Sequence, residues 1–299
     1  MKNTNCIICQ KNEFKIVGKP RINKRFPRIE ESNYTILKCK NCGYYFVSPQ
    51  IDLSQEEWKD LYESDYFEAS QKTQWQIDLN SKELKDRIGV ISENLNIEKG
   101  NFLDMGCGEG FMLKEAEING FKPFGLDIAH NLNPEFSEKY DFFKGSIFDA
   151  KFPDNFFSVV YMDSVLEHVT NPVETIAELK RILKPGGIML VIVPNEDSTM
   201  NTVAKWTYFL TLNYSKYGKI KPFVTPYHIQ GYNKKSLNSL FDRLDLEVID
   251  IVGFGGNYKF WKSQTPFSKQ YFVSLFTYPF GLWSVLFDKQ IQLMSLLRK

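Results

Sequence analysis

Histidine is scarce in this chain, with three in 299 residues, and cysteine nearly so, with five. Net charge is almost absent: 37 Lys and Arg stand against 36 Asp and Glu, leaving +1. That balance argues against a general nucleic-acid binder. The N-terminus, MKNTNCIICQKNEF, has no apolar run of the length a secretory signal needs, so a cytoplasmic protein is expected. Free thiols persist in that compartment, and disulfides are not expected. Internal repeats and low-complexity tracts are also missing, which excludes solenoids and disordered linkers.

What is present is unevenly distributed. Residues 200–299 carry 13 Lys/Arg against 5 Asp/Glu, a net of +8, and the first 199 carry 24 against 31, a net of −7. The basic end is also rich in Phe, Tyr and Trp, so it is expected to meet something anionic, amphipathic or both. The first fifty residues are short-stranded in pattern, with YTILKC and GYYFVSP reading as hairpin strands. Residues 51–97 are charged and helical in pattern, a lead-in to the main domain at 98–299. Within that domain, strands are predicted at 101–105, 122–127, 140–144, 158–162 and 187–193. Helices are predicted at about 110–119, 172–183 and 233–243, with the second closed by KPGG. A strand at 245–252 and a last one at 290–298 follow, with insertions at about 200–232 and 255–287. Strand–helix alternation at this spacing implies an α/β fold with a mainly parallel sheet covered on both faces.

The stretch FLDMGCGEGFML places Gly106, Gly108 and Gly110 directly after a strand that carries Asp104. Bare backbone at the carboxyl end of a parallel strand, before a helix, is where open α/β sheets bind ligands. A dinucleotide fingerprint wants its third glycine at position 111, which is Phe111. Asp127 ends the next strand and is placed to accept hydrogen bonds from two ribose hydroxyls.

FLDMGCGEGFML, FGLD, FPDNFFSVVYMDSVLEHVTNP and ELKRILKPGGIMLVIVPN together resemble, in order and spacing, the class I S-adenosylmethionine-dependent methyltransferases, over about residues 95–252. The resemblance implies a seven-stranded, doubly wound, Rossmann-like sheet with an antiparallel last strand. It also implies that Asp104, Gly106, Gly108 and Gly110 cradle the methionine part of S-adenosylmethionine. Asp127 would hold the ribose, Ile128 would face the adenine, and Ser146 and Ile147 would meet the adenine edge. Met162 and Asp163 would line the donor methyl, and Tyr66 in LYESDYFEAS would reach the methionine carboxylate. One departure is Ser158, where the family commonly has Asp; its place at a strand start implies little effect on binding.

Four cysteines form two Cys-x-x-Cys pairs, Cys6/Cys9 and Cys39/Cys42, a zinc-ribbon spacing. With four thiolates and no open position the expected Zn²⁺ is structural, stapling a module at 1–50 too small to bury much core. A ribbon of this C-x-x-C … C-x-x-C-G-x-x-F-x-x-P form resembles a sugar-tailoring subgroup of the methyltransferases. A hydroxyl acceptor must lose a proton, and histidine is the usual base. His130 follows the ribose acid and is expected on the surface. His168, in DSVLEHV, is expected near the donor methyl. Asp163, Glu167 and His168 form an alternative Mg²⁺ set, and a cap on a following short helix is the plainer role for the EH pair. His228, in TPYHIQGYNKKSL, resembles the family's histidine beside the acceptor pocket, flanked by Tyr227.

Residues 271–287 hold no charge over 17 positions, and Pro279 and Gly281 are expected to interrupt a single helix there. The segment reads either as a lid over the acceptor pocket or as a peripheral contact with an anionic bilayer. The chain is therefore read as an O-methyltransferase of a sugar or lipid-linked glycan, in cell-surface polysaccharide biosynthesis. C-methylation of a nucleotide-linked keto-sugar, a ribosomal RNA methyltransferase and a non-enzymatic scaffold are the other readings. Nucleic acid is the least expected partner, because the ribbon is only mildly basic.

Overall fold

The structure is a computed structural model, and it describes residues 5–22, 33–51, 53–54, 57–58, 74–212, 224–225, 228–255 and 267–299. Its centre is a seven-stranded sheet in which the apolar segments of the sequence are buried on both faces. The strands are β5 (Asn101–Met105), β6 (Lys122–Asp127), β7 (Asp141–Lys144), β8 (Phe157–Asp163), β9 (Leu183–Pro194), β12 (Glu247–Phe254) and β13 (Gln292–Arg298). Their order is β12-β13-β9-β8-β5-β6-β7, and only β13 runs antiparallel to its neighbours.

Side-chain alternation sorts the two faces. Leu103, Val160, Met162, Met189 and Val191 enter one core cluster, whereas Phe102, Val159, Tyr161, Ile188 and Leu190 enter the other. The strand order reverses at β5, so the crevice at its carboxyl end is the topological switch point where such sheets take ligands.

Helices α1 (Gln74–Asn94), α2 (Phe111–Ile118), α3 (Pro134–Ser137), α4 (Ile147–Ala150), α5 (Pro172–Ile182) and α7 (Lys234–Arg243) flank the sheet. The α5 helix shows the local logic: Pro172 opens it, Glu174 sits in its first turn, and Lys180 and Arg181 sit in its last. Ile176, Leu179 and Ile182 bury its inner face. It does not close at KPGG. Leu183 is already extended, and the four residues lie inside β9, whose pairing with β8 shifts register there. Ser158, at the start of β8, donates to Asn101 O at 3.0 Å and accepts from Gly100 N–H at 3.0 Å, so its hydroxyl ties two strands together.

The N-terminal strands β1 (Phe14–Gly18), β3 (Thr35–Cys39) and β4 (Tyr45–Ser48) form a small antiparallel sheet, with β2 (Arg21–Ile22) pairing separately with β10 (Val224–Thr225). Its fourth strand, β11 (Gln230–Gly231), comes from the far end of the chain and pairs antiparallel with β4. Cys6, Ile8, Cys39, Cys42 and Tyr44 share one continuous core cluster with residues of the main sheet.

The two insertions contribute α6 (Thr199–Leu210) and α8 (Lys269–Leu286), which pack against each other. Here the expected interruption does not occur: α8 is one helix with Pro279 inside it. A proline removes one backbone donor and crowds the preceding turn, which kinks a helix or is accommodated where neighbours hold it. Among the described residues, no helix is long and apolar enough to cross a membrane.

Candidate active site

The glycine loop begins where β5 ends. Gly106 and Cys107 donate their N–H groups to Leu126 O at 2.7 and 3.3 Å, which folds the loop onto β6. Gly106 has φ 80°, and a Cβ there would lie 2.3 Å from Val165 Cγ2. Gly110, with φ 85°, is the N-cap of α2 and would press a Cβ against Leu132 at 2.8 Å. Both positions demand left-handed backbone and tight approach, which glycine alone supplies at no steric cost.

Asp127 is anchored by its own backbone surroundings. Gly108 N–H donates to one carboxylate oxygen and Ala129 N–H to the other, each at 3.0 Å. Burial pushes this carboxyl up, and those two N–H donors pull it back. Asp104 is 3 % exposed; burial raises it well above the usual carboxylate range, and Asp163 and Asp127 nearby add to the effect. Three carboxylates thus converge at the switch point, and a cationic ligand would relieve their mutual repulsion. S-adenosylmethionine, whose sulfonium and ammonium outweigh its one carboxylate, is a net cation and fits that set.

The other expected cofactor contacts fall as follows. Ile128 is half-buried directly after Asp127. Ser146 caps α4 through a reciprocal capping box with Asp149, and Ile147 is packed in the core. Met162 is likewise wholly buried in that core, so its side chain belongs to the sheet interior. Asp163 is bound by Arg87 of α1 at 2.6 Å and by Ser164 Oγ at 2.9 Å. Arg87 also donates to Tyr161 Oη at 2.8 Å, so this guanidinium locks α1 over the end of β8. Nothing in the sequence singled it out, since one Arg in a charged helix carries no distinguishing pattern. Tyr66 and Tyr227 lie outside the described residues.

Past β8 the chain makes a turn at 166–168; the next helix, α5, starts at Pro172 with Asn171 as its N-cap, so Glu167 and His168 do not cap it. His168 and His228 meet ring to ring, with centroids 4.6 Å apart and an interplanar angle of 80°. Glu167 Oε1 lies 3.9 Å from His168 Nε2. One ligand atom from each of the three lies within 4.8 Å of the others. Of the residues in the alternative Mg²⁺ set, Asp163 is paired with Arg87, and it is His228 that stands beside Glu167 and His168. Val165, which limits Gly106, joins this turn to the glycine loop. His130 is exposed and packs edge-on against Phe142, away from this cluster.

The cluster is short of partners. Glu167 Oε2, His228 Nδ1 and both carboxylate oxygens of Glu196 are buried without a hydrogen bond. Burial raises Glu167 to about 8 and lowers His228 to about 4. Glu196, just past β9, is also raised to about 8 by burial, with Lys205 opposing. His228 is therefore neutral near pH 7, the form that accepts a proton. Buried polar groups are almost always paired, so unpaired ones mark where a ligand can complete the bonding; the Glu167 charge also raises Glu196, which puts the two carboxyls within electrostatic reach of each other. Nothing in the sequence singles out Glu196, two residues past the end of β9; its burial is a product of the fold.

The thiol cluster sits at the other end of the His228 segment. Cys6 Sγ is 3.7 Å from Cys42 Sγ, and Cys9 Sγ is 3.6 Å from Cys39 Sγ. Tetrahedral thiolates around a zinc ion at ordinary Zn–S distance are separated by about 3.8 Å, far longer than a disulfide. The donor set fits a closed four-thiolate site. From this module Tyr44 reaches across: its hydroxyl donates to Gln230, and Tyr232 Oη donates to the same side chain at 2.8 Å. Val47 N–H donates to Ile229 O at 2.9 Å, and Ile229 and Gln230 N–H both donate to Glu167 O at 3.1 Å. His228 is thus strung between the cysteine module and the Glu167 turn.

Comparison with known proteins agrees with this geometry. The family model "Methyltransferase domain" matches residues 76–251, more than half of the chain. The chain belongs to that family. A ubiquinone biosynthesis O-methyltransferase of Pseudomonas syringae pv. tomato is 26% identical over 206 residues, covering 64% of this chain and 85% of that protein. Among solved structures, a SAM-dependent methyltransferase from Archaeoglobus fulgidus superposes with TM-score 0.51 at 14% identity, covering 73% of this chain and 94% of the other. A geranyl diphosphate C-methyltransferase from Streptomyces coelicolor gives TM-score 0.51 at 12% identity, covering 82% and 97%. These likenesses show the same fold, and the family match makes this chain an S-adenosylmethionine-dependent methyltransferase. The scaffold reading is set aside.

Proposed function

We propose that this methyltransferase acts on a hydroxyl oxygen, with a sugar as acceptor, carried on a nucleotide or a lipid. The observation that carries the reading is the buried, unpartnered set of Glu167, Glu196 and neutral His228 beside the glycine loop. S-adenosylmethionine supplies an activated methyl group when bound, so the chain's own work is alignment and proton removal. Asp104, Asp127 and the three glycines hold the donor. His228 accepts the hydroxyl proton, and Glu167 and His168 orient it. Glu196 receives a further acceptor hydroxyl as a hydrogen-bond partner. Supporting the sugar reading is the cysteine module, whose spacing resembles that of sugar-tailoring methyltransferases.

A second acceptor, a phenolic hydroxyl, is favoured by the names of the ubiquinone biosynthesis O-methyltransferases that this chain resembles. It uses the same base. Methyl transfer to a panel of nucleotide-sugars, lipid-linked sugars and catechols separates the two. Turnover of catechols alone would overturn the sugar reading.

Zn²⁺ in the Cys6, Cys9, Cys39 and Cys42 site is proposed as structural, and metal analysis giving less than about one zinc per chain would contradict it. The α6–α8 pair is proposed to rest on an anionic bilayer, at the cytoplasmic face where cell-surface polysaccharides are built. Phe272, Leu275, Phe276, Leu282, Trp283 and Leu286 recur at helical spacing on the exposed side of α8, and Trp206 and Leu210 of α6 are exposed too. The two insertions carry seven lysines and no acid. Vesicles rich in phosphatidylglycerol should retain the protein, and Phe276→Asp with Trp283→Asp should release it. Equal retention of that double variant would contradict the contact.

A further inference from the structure

The lysines of this protein are not spread evenly. A cavity of about 630 Å³ lies where the cysteine knuckle faces α7 and the end of α8, and six lysines line it against two acids. The acids are already matched. Asp197 accepts from Lys38 at 3.2 Å, from Tyr45 Oη at 3.0 Å and from Asn233 Nδ2 at 2.9 Å. Asp288 is paired with Lys234 and also accepts from Gly253 N–H. Four lysines are left: Lys15 from β1, Lys40 from the knuckle, Lys235 from α7 and Lys289 from the turn after α8. No ion pair joins any of these four to an acid among the described residues.

Their placement runs against local electrostatic preference. The first turn of a helix is its positive end and favours acidic residues. The α7 helix instead opens with Lys234 and Lys235, and its first turn has no acid. Cations brought together from four separate elements, at the positive end of a helix, repel one another unless an anion joins them. The spacing also has a direction. Asn195 and Asp197 line the cavity, and Glu196 between them belongs to the acceptor cluster. Phe287 lines it too, at the end of the aromatic helix α8. The cavity wall thus includes both sequence neighbours of Glu196 and the residue that ends α8.

We propose that this cavity binds the diphosphate of the molecule that carries the methyl acceptor. Lys40 and Lys235 grip it from the two walls, and Lys15 and Lys289 complete the charge. The inference rests on the acceptor being a carried sugar, and its test involves no methyl transfer, so each can fail alone. A nucleoside diphosphate and a polyprenyl diphosphate present the same anion, and the test separates them.

The experiment is calorimetric titration of the full chain, saturated with S-adenosylhomocysteine to occupy the cofactor site. The titrants are inorganic pyrophosphate, UDP and farnesyl diphosphate. Pyrophosphate is expected to bind with an affinity that falls as salt rises above about 100 mM. The Lys40→Glu/Lys235→Glu double variant should lose at least about tenfold of that affinity. Its affinity for S-adenosylhomocysteine should stay within about twofold, because these exposed side chains touch nothing in the glycine loop. UDP binding more tightly than pyrophosphate supports a nucleotide carrier, and tighter farnesyl diphosphate supports a lipid carrier. Absence of pyrophosphate binding, unchanged binding in the double variant, or inorganic phosphate binding as tightly as pyrophosphate would each overturn the proposal.

Discussion

The cofactor side and the acceptor side of the active site occupy the same end of the sheet, but they are assembled differently. Asp104, the glycines and Asp127 lie within residues 104–127, on one β-loop-α-β unit, and their loop is closed by its own backbone hydrogen bonds. Glu167, Glu196 and His228 come from three separated segments and leave buried polar atoms without partners. The first side is a rigid local cradle for one fixed ligand. The second is held by tertiary contacts, among them a strand that the cysteine module borrows from the His228 segment. A donor common to a whole family suits the first construction, and an acceptor that differs from member to member suits the second.

Removing His228 should separate the two sides most sharply. His228→Ala is expected to lower kcat by about a hundredfold to ten-thousandfold, with cofactor affinity within about twofold of the parent chain. Cofactor affinity falling in step with kcat would show that the two sides are one unit. Next in size is the cysteine module. Cys39→Ser, or removal of bound metal by a chelator, should cost about 3 kcal/mol or more of stability. At temperatures where the chain stays folded, methyl transfer should fall further than cofactor binding does. Calorimetry and turnover measured on the same samples check this, and equal losses would mean that the module does not brace His228.

On the cofactor side, Gly106→Ala places a Cβ against Val165 in left-handed backbone. We expect about 2 kcal/mol of cofactor affinity to go, roughly thirtyfold. Unchanged binding of S-adenosylhomocysteine would contradict the cradle. Stability should also depend on pH. Glu167 titrates at about 8 in the folded chain against an ordinary 4.5, so the folded state keeps a proton that the unfolded state releases, and stability falls as pH rises through that window. His228, at about 4 against 6.5, works in the opposite sense: its contribution is lost as pH falls through that window. Glu167→Gln should therefore shrink the drop in melting temperature between about pH 5 and about pH 8. A drop as large as in the parent chain would place the alkaline loss elsewhere.

The same contrast governs what could be read from the sequence. The strands at 101–105 and 122–127 have the boundaries expected of them, because apolar runs ending in Asp and glycine are local signals. Each zinc-spaced cysteine pair is likewise a local signal, and the β1–β3 pairing brings the two pairs together. Arg87 and Glu196 were not legible. Each acquires its meaning from a partner or a burial that only the folded sheet creates, and neither residue type is unusual where it stands. The α8 helix was misjudged because a proline weakens one turn, while packing against α6 is a tertiary matter. The pairing of His168 with His228 was likewise invisible, since 60 positions separate them.

The central claim is that His228 takes a proton from an acceptor hydroxyl beside a complete cofactor cradle. It is tested most directly by transfer of label from methyl-tritiated S-adenosylmethionine into fractionated extract of the source cell, by the parent chain and by His228→Ala. Label in the nucleotide-sugar or lipid-linked glycan fraction, lost in His228→Ala while S-adenosylhomocysteine still binds, is the predicted result. Label in RNA or protein alone, or label undiminished in His228→Ala, would contradict it.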